Sequence, residues 1–473
     1  MVFTSTIFLF YFLPLVLAAY YLLPRRGRNA LLAIASYAFY GWWNPLFVLL
    51  LLASTLVDYS CGIRIDRSPA GSRQRKTALV TSVVTNLSIL GFFKYYVFAI
   101  ENINLVLMNL GHDPLASVAI LLPVGISFYT FQSMSYTIDL YRGRVQVERS
   151  LVDFMAYVSL FPQLVAGPIV RYRDMASQLR DRRESLDAVA KGFCFFAIGF
   201  AKKVLIANPL GEVADTVFAA SSPAWHVAWF GVTAYAFQIY FDFSGYSDMA
   251  IGLGRMFGFS IPQNFNSPYK AKSITDFWRR WHISLSTWLR DYLYVPLGGN
   301  RHGTGKTYRN LIVTMLLGGL WHGAAWTFVS WGALHGGLLA FERFLGKRSL
   351  YAFLPRVCQT GLTFVLVLLT WVFFRAESIG DAMGYLASMF ALAGETTSTL
   401  LLSAEIYKPF PLLVFAVAAI TVWFGRPTSE LLEYSHAEAQ RSPLRAAIIG
   451  LLFLLGIVEM IFQADNPFLY FQF

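Results

Sequence analysis

The sequence predicts an all-α polytopic membrane protein of about 11 transmembrane helices, with additional re-entrant or interfacial helices. Three observations predict it. Of 473 residues, 56% are hydrophobic and only 14% charged, where soluble domains carry about 25% charged residues. Apolar runs long enough to cross a bilayer recur along the whole chain. No alternating barrel pattern is present, and a helix satisfies its own backbone within lipid.

Taken in order, the candidate spans are about 5–23, 29–52 (with Asn44-Pro45 as a candidate break), 78–100, 115–141, 151–170, 188–208, 228–254, 310–341, 357–374, 409–424 and 446–463. The run Ile7 to Leu23 is expected to be the first membrane helix rather than a cleaved signal. No basic residue precedes it, and the first charge, Arg25, follows it. The net charge of +11 collects in short loops: Arg25 to Arg28, Arg64 to Lys76, Arg171 to Arg183, Lys270 to Arg309 and Arg343 to Arg356. That pattern marks cytoplasmic faces. It also argues against nucleic acid, because no basic stripe lies on a separate soluble domain. Cys61, Cys194 and Cys358 are far apart and have neither metal nor disulfide spacing; they are expected to be small buried hydrophobes. No internal repeat supports a transporter built from inverted repeats.

The stretch Asn310 to Phe341 holds no Asp, Glu, Lys or Arg, yet contains His322 and His335. An ionisable group at such depth marks a functional site by default. Trp321-His322-Gly323 lies among small residues that permit close approach. A desolvated imidazole favours its neutral, proton-accepting form, which suits a general base deprotonating a hydroxyl for attack on an acyl carbonyl. The alternative is a histidine hydrogen-bonded between helices without chemistry. His335 lies 13 residues on, about 220° around an ideal helix. The two therefore make no same-face metal pair, and no HExxH or cysteine cluster supports zinc. His335 is expected to serve packing or a polar contact.

The longest non-apolar stretch runs from about Asn264 to Arg309. Within it, Thr275 to Tyr292 reads as one helix with Trp278, Trp281, Leu285 and Trp288 on a single face. Trp and Arg suit a membrane boundary. A re-entrant helix is the other option, and it would carry His282 inward. Upstream, Tyr240 to Met249 offers the i, i+4 pairs Asp242/Tyr246 and Ser244/Asp248, with a structural carboxylate–Arg pair favoured over direct catalysis. Two soluble-enzyme signatures fail. Gly299 to Thr307 lacks the Walker spacing, with Asn300 where glycine is required, and no Gly-x-Ser-x-Gly elbow exists. Without a Ser or Cys nucleophile beside a base, direct transfer is simpler than a covalent intermediate.

These segments resemble the membrane-bound O-acyltransferase family. The matching pieces are Phe161 to Pro168, Tyr240 to Met249, Asn264 to Tyr269, Asp276 to Tyr292 and Trp321-His322-Gly323, in family order. Met1-Val2-Phe3 and Asn466 to Phe473 resemble the bacterial alginate O-acetylation branch. The resemblance implies one integral membrane domain over 1–473, with a family core of about 115–376 flanked by helices in 1–114 and 377–473. It implies a funnel with a central tunnel in the bacterial inner membrane and a cytoplasmic acyl donor, acetyl-CoA, with no bound cofactor or metal. It maps the catalytic pair onto His322 and His282. Trp278, Arg279, Trp288 and Arg290 would shape the cytoplasmic mouth, with Asn300, Trp321, Asp242 and Tyr246 as further donor-site or tunnel-lining residues. The implied partners are an SGNH-type acetyltransferase, periplasmic or membrane-anchored, a polysaccharide synthase complex and the lipid bilayer.

One departure stands out. The alginate branch is expected to carry histidine where this chain has Gln163, and Gln cannot act as a base. The chain is also short for that branch between Trp423 and Arg445. Cellulose or another exopolysaccharide therefore stays beside alginate as the polymer, with peptidoglycan or carrier-delivered D-alanine as alternatives. A transporter or channel lined by His322 is the rival from a different class.

Overall fold

The computed structural model describes residues 1–346, 348–392, 398–433, 443–463 and 468–469. It is helical, and no strand occurs among the described residues. Among the described residues four helices are long and apolar enough to cross a membrane: Pro45–Arg67, Arg73–Asn109, Arg356–Arg375 and Pro443–Phe462. Phe8–Leu22 and Pro409–Phe424 are apolar but shorter. The chain is a membrane protein. It divides into two compact units, one of Met1–Phe193 with Ala250–Pro262, the other of Cys194–Met249 with Gln263–Phe473.

In the first unit the helices are α1 (Leu13–Leu22), α2 (Arg25–Gly41), α3 (Pro45–Arg67), α4 (Arg73–Asn109) and α5 (Ile126–Tyr141), followed by shorter ones. The expected run 29–52 breaks at Asn44-Pro45. Pro45 begins α3, and the Asn44 side chain accepts the Leu46 N–H at 3.0 Å, a normal helix start. The expected span 115–141 is helical only from Ile126. Pro114 and Pro123 disfavour helical backbone at the residues before them, and Gly125, at φ 76, makes the left-handed entry to α5. The expected span 151–170 is likewise interrupted, with helices Leu151–Ser159 and Phe161–Leu164 on either side of Leu160; Pro162 supplies no N–H to continue the first.

Polar groups pin this unit together. The buried Asp58 carboxylate of α3 accepts from Ser82 Oγ (2.5 Å) and Asn86 Nδ2 (2.9 Å) of α4 and from the Ser133 hydroxyl of α5. At the loop after Asp181, Glu184 accepts from Tyr20 Oη (2.8 Å) and Arg28 (2.7 Å), while Arg182 Nε donates to the same Tyr20 oxygen at 2.8 Å. Cys61 is buried, whereas Cys358 of the second unit is exposed. The expectation of three buried cysteines holds for Cys61 alone: Cys194 is half-buried, and Cys358 sits exposed in the first turn of its helix.

The second unit holds the candidate site. Helix α6 (Trp225–Met256) lies in it as far as Met249. The expected single helix over 275–292 is instead two seven-residue helices, α7 (Ile274–Arg280) and α8 (Ile283–Leu289), and then a π-helical turn Arg290–Tyr294. His282 separates them in the left-handed conformation (φ 44, ψ 55). The one-face alignment of Trp278, Trp281, Leu285 and Trp288 is therefore lost. The run 310–341 is also two helices, α9 (Thr304–His322) and α10 (Trp326–Phe344), of 19 residues each. They approach closely because glycines face backbone: a Cβ on Gly319 would collide with the Phe328 carbonyl, and one on Gly332 with that of Met315. Small residues give this fit within lipid, where packing rather than water exclusion joins helices. Helix α11 (Arg356–Arg375) follows.

Candidate active site

His322 is the last residue of α9, and Gly323 after it leaves the helix in extended backbone. A Cβ at Gly323 would run into the Phe328 ring, so glycine is what allows the turn back into α10. This break places His322 inside the unit, 3% exposed. Its ring packs edge-on to Trp321 (5.0 Å), Trp331 (5.2 Å) and Phe374 (5.3 Å). Trp331 in turn stacks on Trp371 at 5.9 Å and 14°.

His282 arrives from the α7–α8 break. It is fully buried, perpendicular to Phe243 of α6 at 4.7 Å and 6.0 Å from Trp321. The centres of the His282 and His322 rings are 6.3 Å apart, at 65°. The fold therefore brings together two imidazoles 40 positions apart in sequence, within aromatic walls. Aromatic walls of this kind leave few polar groups around the two rings.

His335 is bound differently. Trp278 Nε1, which can only donate, meets His335 Nδ1 at 3.2 Å. His335 Nε2 therefore carries the proton, and it lies 3.1 Å from Thr370 Oγ1. Both nitrogens are engaged in holding α7, α10 and α11 together. Trp278, expected at a donor mouth, contributes to this lock.

The other expected residues scatter. Trp321 is part of the box. Trp288 is buried and packs on Tyr292 at 5.0 Å. Arg279, Arg290 and Asn300 are exposed, and Arg290 pairs with its neighbour Asp291 at 2.7 Å. Asp242 and Tyr246 are buried, but the expected carboxylate–Arg pair is a lysine pair. Lys203 meets Asp242 at 2.5 Å and Lys202 meets Asp248 at 2.7 Å. The π-helical turn Lys202–Ala207 presents these neighbouring lysines. Asp242 also accepts the Leu469 N–H at 2.9 Å, and Thr428 Oγ1 donates to Asp248 at 2.7 Å. Phe468 packs on Tyr246 at 4.6 Å. These groups buttress α6 rather than enter the imidazole box.

Two asparagines were not singled out from the sequence for a role. Asn310 donates to the carbonyls of Leu297 (3.1 Å) and Gly299 (3.0 Å), fixing the loop before α9. Asn264 is fully buried beside His282. It stands in the Asn264 to Tyr269 segment, but composition alone gives a buried asparagine no signal. Glu342, also missed, accepts the N–H groups of Ile274 (2.7 Å) and Thr275 (2.9 Å), capping α7 from α10. Among the described residues no cluster of His, Cys, Asp and Glu could hold a metal ion.

The family model for membrane-bound O-acyltransferases matches residues 146–379, a span that contains His282, His322 and the walls around them. Along its whole length the chain is 46% identical to the Probable alginate O-acetylase AlgI of Azotobacter vinelandii, covering 100% of both chains. This chain belongs to the membrane-bound O-acyltransferase family. It is 35% identical to the Peptidoglycan O-acetyltransferase of Helicobacter pylori, over 100% of this chain and 98% of that one. It is 29% identical to the Teichoic acid D-alanyltransferase of Bacillus subtilis, over 53% of this chain and 67% of that one. As a membrane-bound O-acyltransferase it is an acyltransferase, and Gln163 falls within the matched span. Gln163 is buried in the first unit, where its Nε2 donates to the Tyr157 carbonyl at 3.1 Å.

Proposed function

We propose that this chain is a bacterial inner-membrane O-acetyltransferase. It takes acetyl from acetyl-CoA on the cytoplasmic side and passes it across the bilayer for O-acetylation of an exopolysaccharide, alginate or cellulose being the leading polymers. The observation that carries this reading is end-to-end identity with an alginate O-acetylase, over a span holding two buried histidines in one aromatic box. The count of about 11 spans, the funnel with its central tunnel, the SGNH-type partner and the link to a polysaccharide synthase belong to the same proposal.

In this scheme His322 accepts the proton of the acceptor hydroxyl as its oxygen attacks the acetyl carbonyl. The new C–O bond forms and the C–S bond breaks. CoA leaves as thiolate and takes the proton back, returning His322 to its neutral state. The scheme uses direct transfer, without an acyl-enzyme. Ser284 Oγ, the nearest hydroxyl to His282 in sequence, donates to Asn264 Oδ1 at 2.9 Å. The surrounding rings keep bulk water from competing for the acetyl group.

Peptidoglycan as the acceptor is the second reading, favoured by full-length similarity to the Helicobacter pylori protein. D-Alanyl transfer has less support, since the Bacillus subtilis match covers about half the chain. Mass spectrometry of polymer from deletion and complemented strains distinguishes these by acyl group and polymer. The test of the site is His322→Ala protein shown to be inserted normally. Polymer acetylation and release of free CoA from acetyl-CoA are both expected to be lost, and acetylation at the wild-type level would sink the assignment. A pure pore would pass its substrate without releasing CoA.

A further inference from the structure

His282 sits at the junction of two helices too short to span a membrane, and its environment decides which of its nitrogens carries the proton. The segment before α7 runs alongside the α7–α8 break: Ile283 N–H donates to the Asn264 carbonyl at 2.9 Å, and Asn266 N–H to the Arg280 carbonyl at 2.9 Å. That pairing brings the Asn264 side chain against residues 282–284. Asn264 Oδ1 accepts the backbone N–H of Ser284 at 3.1 Å and Ser284 Oγ at 2.9 Å. A backbone N–H can only donate, so the amide orientation is fixed with its oxygen toward α8. The same Oδ1 lies 3.3 Å from His282 Nδ1. An amide oxygen has no proton to offer, so Nδ1 must hold one.

We propose that Asn264 is a positioning residue that holds His282 in its Nδ1–H tautomer, so that Nε2 carries the lone pair and His282 assists acyl transfer only as a proton acceptor. The left-handed backbone at His282 fits this role, since φ 44 in a non-glycine residue is a conformation held by its surroundings. An amide is also the right chemistry. A carboxylate would accept the same bonds but would add a buried negative charge that favours imidazolium. The opposite face of the amide, Nδ2, meets no hydrogen-bond partner among the described residues. The acceptor oxygen is thus the part of Asn264 that the fold uses. The role assignment deepens the proposed function and rests on it.

The groups around His282 bear on any pH effect. Among its ring neighbours the titratable one is His322 on α9. Helix α6, which meets it through Phe243, carries Asp242 and Asp248, each paired with a lysine of the 202–207 turn. On α7, Asp276 is paired with Arg280 at 2.9 Å. These three carboxylates are each paired with a cation, and Glu342 of α10 is held by the Ile274 and Thr275 N–H groups at the far end of α7, so a new carboxylate at position 264, against the His282 ring, is the change His282 feels.

The test uses full-length protein in nanodiscs, with Asn264→Ala and Asn264→Asp variants, read in two independent ways. Solid-state 15N NMR of histidine-labelled protein, with His282 assigned by its loss in His282→Gln, is expected to show protonated Nδ1 and bare Nε2 in the wild type. In Asn264→Ala a mixture of tautomers should appear. CoA release from acetyl-CoA, with the partner present, is expected to fall about ten- to hundredfold in kcat for Asn264→Ala with KM little changed, a part of the ~10²–10⁴-fold that acid–base groups supply. Asn264→Asp keeps the tautomer and should move the acid limb of the kcat profile to higher pH. A protonated Nε2 in folded wild type would overturn the proposal, as would an unchanged tautomer in Asn264→Ala. If wild type released no CoA, the proposed function would fail while the 15N signature still judged the tautomer.

Discussion

The His282 and His322 rings lie 6.3 Å apart, one at the break between two short helices and the other at the C-terminal end of a third. Neither position follows from helix periodicity, because both depend on the chain leaving a helix at that residue. A pair this close should act as a unit. His322→Ala is expected to lower acetyl-CoA turnover by ~10²–10⁴-fold, and His282→Ala by less. The double variant should be no worse than His322→Ala alone, as interdependent groups are not additive. Single-turnover CoA release from the three variants checks this, and multiplicative losses would mean the two act separately.

The Lys203–Asp242 pair is buried, both residues being under 10% exposed. Lys203→Met leaves a buried carboxylate without its cation and is expected to cost about 3–5 kcal/mol. Lys203→Met with Asp242→Asn removes both charges and should recover most of that loss. Thermal unfolding in detergent, read against activity at permissive temperature, separates this buttressing role from chemistry. A double variant as unstable as the single would contradict the pairing.

The α9–α10 contact rests on glycine. Gly332→Ala would press a methyl against the Met315 carbonyl and is expected to destabilise by about 1–3 kcal/mol through overpacking. Because α10 also carries Trp331 and His335, the shift should reduce activity along with stability. Gly337→Ala on the same helix meets no atom within 4 Å and should be close to neutral. Equal melting temperatures for the two variants would refute the close-packing argument.

Glu184 gives a pH dependence outside the spanning helices. Burial alone would push its carboxyl up, but hydrogen bonds from Tyr20 and Arg28 and the charges of Arg28 and Arg182 hold it below the usual carboxylate value. A depressed folded-state pKa means its contribution to stability is full above an unfolded value of about 4.3 and fades as pH falls through the folded one. Glu184→Gln should therefore be less stable than wild type at neutral pH, with the difference closing in acid. Unfolding midpoints measured from pH 7 to 3 test this, and a gap that widened in acid would reverse the sign.

The sequence by itself determined the membrane class, the acyltransferase family and most long helices. Apolar runs fix where helices can lie in lipid, as at 409–424, where the expected run and the helix Pro409–Phe424 coincide. A charge-free run with a histidine singles out His322 as a candidate before any fold is known. The ordered segments from Phe161 to Gly323 carried the family. Tertiary structure decided the breaks and the partners. The 275–292 pattern reads as one helix, yet pairing of Ile283 N–H with the Asn264 carbonyl and the left-handed turn at His282 divide it. Periodicity records which residues prefer burial, not where a distant carbonyl will take a helix's hydrogen bond. For the same reason the lysine partners of Asp242 and Asp248, the engagement of both nitrogens of His335, and Asn264 at the side of His282 were decided only by folding. Each depends on contacts between residues far apart in the chain, which local spacing cannot encode.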